Sequence, residues 1–427
     1  MELTVNPTRA LKGAIQLPGS KSYTIRSFIV ASCGGRSTIL APSNCEDALM
    51  AMKAAKKLGA HFSRTRGGYT VTAAAGAKRI SRIDVGESGT TLRFILPLAA
   101  LGGGRVTIAG KGSLVGRPNM HLTRALRSMG LKIKGSGEKE GVPIVIEGGK
   151  LKGGRVTVDG SLSSQFISSL LIASPRWEND THLIIRGRKQ VSVDYIEMTI
   201  KVLRSAGIKL KAQGFRHFYI KGKQEFGGLK DFTVPSDLGL AAFHLAAGCL
   251  LHSRIRLKGN LSASLKQADG RIMAFLRKMG ARFTQTSQAI DLAGPFRLKG
   301  GTFSLKDCPD LVPIMAVVAM FAEGKTRLTD IAHARAKESN RISDLRRELL
   351  KVGAAVSEKK GELIITPKAK YRTGATLNPH NDHRLAMAFA VLGLKVGVRV
   401  KTIGCTRKSY PDFVKDLKAL SADINVA

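Results

Sequence analysis

The apolar and polar positions of this chain repeat a single pattern. A helix-period stretch closes on Leu-x-x-x-Gly or a near relative, then gives way to two short alternating strands joined by a polar turn. The closing glycines are Gly59, Gly130, Gly207, Gly280 and Gly353, spaced 71, 77, 73 and 73 residues apart. Glycine is expected at such a junction because many helices end in a left-handed residue, a conformation that penalises a Cβ. After Gly207 the alternation of Ile208 and Leu210, answered by Phe218 and Ile220, predicts a hairpin with one buried face. A sixth copy opens at Leu417-Lys-Ala-Leu, and the chain ends inside it. The spacing predicts six α/β units of roughly 70 residues each. Each unit has one apolar helix face that only its siblings can cover, so threefold grouping into two similar domains is expected.

Length agrees, since 427 residues exceed what one ordinary core holds. No basic stretch leads into an apolar run at the N-terminus, and the apolar run 314–322 is too short to span a bilayer. The expectation is a soluble, cytoplasmic protein with no membrane partner, a monomer by default. Cys33, Cys45, Cys249, Cys308 and Cys405 lie far apart with no CxxC, and the histidines form no ligand cluster. Neither a disulfide framework nor a metal or other cofactor is expected.

Charge changes the picture more. There are 69 Lys and Arg against 31 Asp and Glu, a formal net charge of +38. The excess is spread evenly, +21 over residues 20–234 and +17 over the rest, and aromatic residues make up 5% of the chain. An even spread with few stacking side chains argues against nucleic acid as the partner and favours small anions, whose approach such a field speeds.

Several helix starts carry candidate chemistry. Leu17-Pro-Gly-Ser-Lys-Ser-Tyr-Thr-Ile-Arg26 runs from a strand into an apolar helix that Ser20 or Ser22 can cap, with Lys21 and Arg26 beside its anion-favouring N–H groups. Gly86-Glu-Ser-Gly-Thr-Thr-Leu-Arg93 is a glycine turn entering another helix, where Gly89 permits close backbone approach. Gly116-Arg117-Pro follows. Asp159-Gly-Ser-Leu-Ser163-Ser164-Gln165 offers hydroxyls and an amide suited to phosphate or diol oxygens. Cys308-Pro-Asp310 precedes an apolar helix that its aspartate could cap. In Ala334-Arg-Ala-Lys337-Glu338-Ser-Asn-Arg341, a helix would set Lys337 and Arg341 on one face, a like-charge pair that calls for an anion. Asn381-Asp-His-Arg384 and Cys405-Thr-Arg-Lys408 complete the set.

In order and spacing, from LPGSKS to CTRKSYPD, these segments resemble the EPSP synthase (3-phosphoshikimate 1-carboxyvinyltransferase) family over essentially the whole chain. The resemblance implies two domains of three βαβαββ-type repeats, the enolpyruvyl transferase fold, with the active site in the interdomain cleft. The domains would comprise 20–234, and 1–19 with 235–427. It implies enolpyruvyl transfer from phosphoenolpyruvate to the 5-hydroxyl of shikimate 3-phosphate through a tetrahedral intermediate, a step toward chorismate and the aromatic amino acids. Lys21, Ser22, Arg26, Ser163, Ser164, Gln165, Ser192, Tyr195, Asp310, His333 and Lys337 would contact shikimate 3-phosphate. Lys21, Gly89, Arg117, Gln165, Arg341, Arg384 and Lys408 would hold phosphoenolpyruvate. Asp310, Glu338 and Lys21 would be catalytic.

Four positions depart from the family's common pattern: Glu87, Phe94, His333 and Asn340. Glu87 is unhelpful near phosphoenolpyruvate unless it faces away. Retention of Gly89 carries the expectation of inhibition by glyphosate. Two rivals make other predictions. UDP-N-acetylglucosamine enolpyruvyl transferases carry a reactive cysteine shortly before the Arg-Pro pair, and Lys111-Gly-Ser-Leu-Val-Gly-Arg117 has none. A basic nucleic-acid-binding protein would show salt-sensitive polynucleotide binding and no phosphate release.

Overall fold

The structure, a computed structural model, describes residues 1–426 except 75, 77, 78, 188 and 263. The chain divides into two compact units, one of Gly19–Val234 and one of Met1–Pro18 with Pro235–Ala427.

In Gly19–Val234 the described residues form three four-stranded sheets. The third shows the plan. Strand Gly154–Asp159 pairs in parallel with Thr181–Arg186, which pairs antiparallel with His217–Ile220, and that strand closes a hairpin with Leu210–Gln213. A parallel pair needs a crossover, and the helix Ser164–Ala173 supplies it. Three helices are buried almost all round: Lys21–Ala31, Gly89–Ala99 and Ser164–Ala173. Polar as well as apolar side chains are enclosed on them, Arg26, Arg93 and Ser168 among them. The amphipathic helices Glu46–Lys57, Met120–Ser128 and Val193–Ser205 expose their charged sides.

The other unit repeats the plan. Its three sheets enclose a core built on the helices Leu238–Leu250, Val312–Met320 and His383–Val396, where Phe243, Ile314, Val317, Leu385 and Phe389 have no exposed surface. The unfinished sixth copy is completed from the other end of the chain. Strand Leu3–Val5 lies between Val398–Val400 and Ile424–Val426, antiparallel to both. Ala10–Gln16 likewise pairs in parallel with His252–Lys258. The five junction glycines have φ of 105, 94, 86, 107 and 78°, the left-handed region that the sequence pattern anticipated.

Among the described residues no helix is long and apolar enough to cross a membrane. Among the same residues no group of three or more His, Cys, Asp or Glu side chains could hold a metal ion.

Candidate functional site

Lys21, Gly89, Gln165 and Arg384 sit at the N-terminal ends of buried helices, where backbone N–H groups lack intrahelical partners and the helix dipole is positive, while Tyr195, His333, Lys337 and Lys408 lie on other elements. Each unit holds one constellation.

In Gly19–Val234, Lys21 opens its helix and pairs with Asp47 at 3.0 Å. Ser20 occupies the cap position, but neither hydroxyl makes the expected capping bond; the Ser20 carbonyl instead accepts from the Thr24 hydroxyl at 2.8 Å. Arg26 is 1% exposed and ties two helices together. Its Nε donates to the Thr199 hydroxyl (2.8 Å), Nη1 to the Ser22 carbonyl (2.9 Å) and Nη2 to the Tyr195 carbonyl (3.1 Å). The guanidinium also lies over the Phe94 ring, 5.2 Å from its centroid, which gives the atypical Phe94 a cation–π role. Burial lowers the Arg26 pKa to about 10, although Tyr195 and Tyr23 pull it back up. Ser192 precedes the helix of Tyr195 in a left-handed conformation, φ 58°.

The starts of helices Gly89–Ala99 and Ser164–Ala173 meet. The Gln165 amide donates to the Thr90 hydroxyl at 2.9 Å and accepts from Arg93, while Ser163 caps its helix by accepting from the Gln165 N–H. Arg93 also donates to Asn119 and to the Pro118 carbonyl, so one buried guanidinium joins Gln165 to the loop after Arg117. A Cβ built on Gly89 would lie 2.8 Å from Arg117 Nη1, which explains glycine there. The Glu87 carboxylate accepts from the Ser113 N–H (2.9 Å) and hydroxyl (2.8 Å) and braces the turn at 112–114.

In the other unit the hub is Arg341, which has no exposed surface. Nε and Nη2 bond Asp382 at 2.9 and 3.2 Å, Nη1 bonds Asp310 at 2.8 Å, and Nη2 also bonds Glu338 at 2.8 Å. Burial alone would weaken the guanidinium, but the three carboxylates outweigh it and raise its pKa well above the usual arginine value. Asp310 carries two further cations, Lys337 at 3.4 Å and Arg384 at 3.4 Å. Arg384 Nη1 donates to the Gly239 carbonyl at 2.8 Å, so the starts of the helices Leu238–Leu250 and His383–Val396 meet here. Lys408 donates to the Asn381 carbonyl at 2.9 Å. His333 is buried, and burial, with Lys337 adding to it, holds its pKa down to about 3.

Two expectations need correction. Lys337 and Arg341 do not share a helix face. Lys337 ends the short 3-10 turn Ala332–Ala336 with extended ψ (−149°), and Asn340 caps a new helix that begins at Arg341. The like-charge pair is reconciled by Asp310 between the two cations rather than by helical geometry. Asp310 itself is no helix cap; it lies in the turn Pro309–Leu311, and its carboxylate is committed to the cations.

Sequence reasoning passed over Asp382, Arg93, Asp47, Thr199 and Asp269, whose carboxylate lies 3.6 Å from Arg384. Asp382 stood inside a quoted motif, yet its burial and its partner 41 residues away were invisible.

Two units of three helix-on-sheet modules are the architecture of the enolpyruvyl transferases. EPSP synthase from Acinetobacter baumannii superposes with a TM-score of 0.79 at 25% identity, over 100% of this chain and 99% of that one. The enolpyruvyl transferase NikO from Streptomyces tendae matches in fold, with a TM-score of 0.79 at 19% identity over 99% and 98%. Among curated proteins, 3-phosphoshikimate 1-carboxyvinyltransferase of Methanosarcina mazei is 38% identical over 97% of both chains. That of Methanococcus aeolicus is 34% identical over 99% of this chain and all of its own. The chain belongs to the EPSP synthase (3-phosphoshikimate 1-carboxyvinyltransferase) family, whose sequence model matches residues 5–417.

Proposed function

We propose that this protein transfers the enolpyruvyl group of phosphoenolpyruvate to the 5-hydroxyl of shikimate 3-phosphate and releases inorganic phosphate. The observation that carries this reading, beyond family membership, is the cluster around Asp310: one carboxylate with Lys337, Arg341 and Arg384 all within 3.4 Å. Such a carboxylate can accept the hydroxyl proton while its neighbours hold an anionic partner.

Two anionic substrates repel each other by about 4 kcal/mol per pair of unit charges at 4 Å in an effective dielectric near 20. Fixed cations offset that repulsion, and Arg forks match carboxylate and phosphate oxygens. In this reading Lys21, Ser22, Arg26, Ser163, Ser164, Gln165, Ser192, Tyr195, Asp310, His333 and Lys337 bind shikimate 3-phosphate. Lys21, Gly89, Arg117, Gln165, Arg341, Arg384 and Lys408 bind phosphoenolpyruvate. A ligand carboxylate reaches Arg341 by displacing one of its acidic partners. Glu338 and Asp310 are 17% and 18% exposed and can yield, whereas Asp382 is fully buried and stays. Displaced from Arg341, Glu338 regains basicity and can carry the proton that goes to C3 as the 5-hydroxyl oxygen attacks C2. Collapse of the tetrahedral adduct then returns a proton from C3 to Glu338, re-forms the C2–C3 double bond and expels phosphate. No covalent enzyme intermediate is needed.

Both substrates are small molecules, and the reading includes a cytoplasmic monomer with no membrane partner. Measuring inorganic phosphate from phosphoenolpyruvate supplied with shikimate 3-phosphate, or with UDP-N-acetylglucosamine, tests it. Release with the first alone is expected; release only with the second, or with neither, overturns it.

A further inference from the structure

The exposed face of the sheet formed by Gly154–Asp159, Thr181–Arg186, His217–Ile220 and Leu210–Gln213 carries a feature that the transfer reaction does not use. The pairing registers set Arg155 opposite His182, His182 opposite Tyr219, and Tyr219 opposite Lys211, one row across all four strands. Alternation along the strands sends Leu183 and Phe218 into the core and this row outward. Within the row the His182 and Tyr219 rings stack, with centroids 4.2 Å apart and planes 16° apart. Tyr219 stays 46% exposed, one of few large apolar side chains at the surface. Lys209 and Lys221 extend the row along the strands, and the six side chains line a cavity of about 700 Å³.

The repeat supplies an internal control. The corresponding rows are Arg82–Thr107–Val145–Lys134 in the preceding sheet and Thr302–Arg327–Ile364–Ser357 in one sheet of the other unit. Neither has an aromatic residue, so the stacked pair is not a requirement of the module.

We propose that this face binds a free purine nucleotide, with the base stacked on Tyr219 and the phosphates held by Lys209, Lys211, Lys221 and Arg155. A base has a π-face for the open side of the tyrosine ring, and stacking of this kind is insensitive to the base's hydrogen-bonding pattern. Strands lie about 4.8 Å apart, so Arg155 and Lys211 flank the rings at a span of roughly 14 Å, within reach of a ribose diphosphate. The cavity lining sets these four cations against a single carboxylate, Asp180, whose Oδ1 accepts from the Gly222 N–H at 3.1 Å. A single stacking position suits one base, whereas a single-stranded polynucleotide engages successive aromatics.

Calorimetric titration of ADP, pyrophosphate and a ten-nucleotide oligothymidylate into the full chain at fixed ionic strength tests this, with Tyr219→Ala and Lys209→Glu/Lys211→Glu as variants. ADP is expected to bind roughly tenfold more tightly than pyrophosphate, the scale of one base stack. Tyr219→Ala should erase that margin and leave pyrophosphate binding as it was, and the charge reversal should weaken both ligands. Wild-type phosphate-release activity in Tyr219→Ala would show that the fold is intact. Equal affinity for ADP and pyrophosphate, or ADP binding unmoved by Tyr219→Ala, overturns the proposal. Oligonucleotide binding tighter than ADP and lost in the same variants overturns it in favour of a polynucleotide.

Discussion

Asp382 gives the sharpest test of the charged hub. Its carboxylate has no exposed surface, bonds Arg341 twice, caps its helix by accepting from the Arg384 N–H at 2.8 Å, and accepts from the Ser339 hydroxyl at 3.2 Å. Asp382→Ala removes all of this and leaves the buried guanidinium with Asp310 and Glu338 alone. Removing one partner of a buried ion pair costs about 3–5 kcal/mol, and losing a helix cap about 1 kcal/mol. The two surviving carboxylates offset part of this, so about 3 kcal/mol is expected. Urea unfolding followed by far-ultraviolet circular dichroism measures it, and the fluorescence of Trp177, the one tryptophan, serves as a control because it reports the unit without the substitution. The double replacement Asp382→Leu/Arg341→Met removes charge from both sides of the pair and should be less damaging to stability than Asp382→Ala, though inactive. A loss below 1 kcal/mol for Asp382→Ala, or a double variant less stable than the single one, would refute the view that an uncompensated buried charge sets the cost.

Three further expectations follow from the geometry. Gly89→Ala places a methyl 2.8 Å from the far end of Arg117, which can yield, so stability should change by less than about 1 kcal/mol. The displaced Arg117 should raise KM for phosphoenolpyruvate about tenfold and weaken glyphosate inhibition, both read in the phosphate-release assay. All five cysteines are buried, and burial pushes the Cys33, Cys45 and Cys249 thiols up to about 11, 11 and 12. A thiol-disulfide reagent at pH 8 should therefore label the native protein slowly and the urea-unfolded chain at once, and fast native labelling would contradict this. Burial holds His244 down to about pKa 3, against an ordinary value near 6.5. As pH falls through 6.5 the unfolded chain takes up that proton first, so stability is full above this pH and declines toward pH 3. The decline contributed is about 1.4 kcal/mol per pH unit, and His244→Gln should flatten the measured slope between pH 6 and 4 by about that much.

The module boundaries were legible because each rests on a local rule: five glycines with positive φ end five helices, and alternation sets the buried face of each hairpin. The positions of Lys21, Gly89, Gln165 and Arg384 at helix starts were legible for the same reason. What the sequence hid depends on contacts between distant segments. Thr199 and Arg26 are 173 residues apart, and Gln165 and Arg93 are 72 apart. The pairing of Lys337 with Arg341 was misjudged because spacing alone fits a helix. The backbone instead breaks at 337–340, and Asp310, from another segment, satisfies both cations. Glu87 looked misplaced in the glycine turn until Ser113 appeared as its partner.

The strands at the start of the chain bear on how the molecule is made. A ribosome emits Leu3–Val5 and Ala10–Gln16 first, yet their partners are His252–Lys258, Val398–Val400 and Ile424–Val426. At about 5–20 residues per second these segments wait on the order of tens of seconds while Gly19–Val234 emerges whole and can fold. Leu3–Val5 and Ala10–Gln16 therefore stay open to proteases and chaperones until those later strands emerge, and substitutions in Leu3–Val5 would burden the last sheet to close rather than the first.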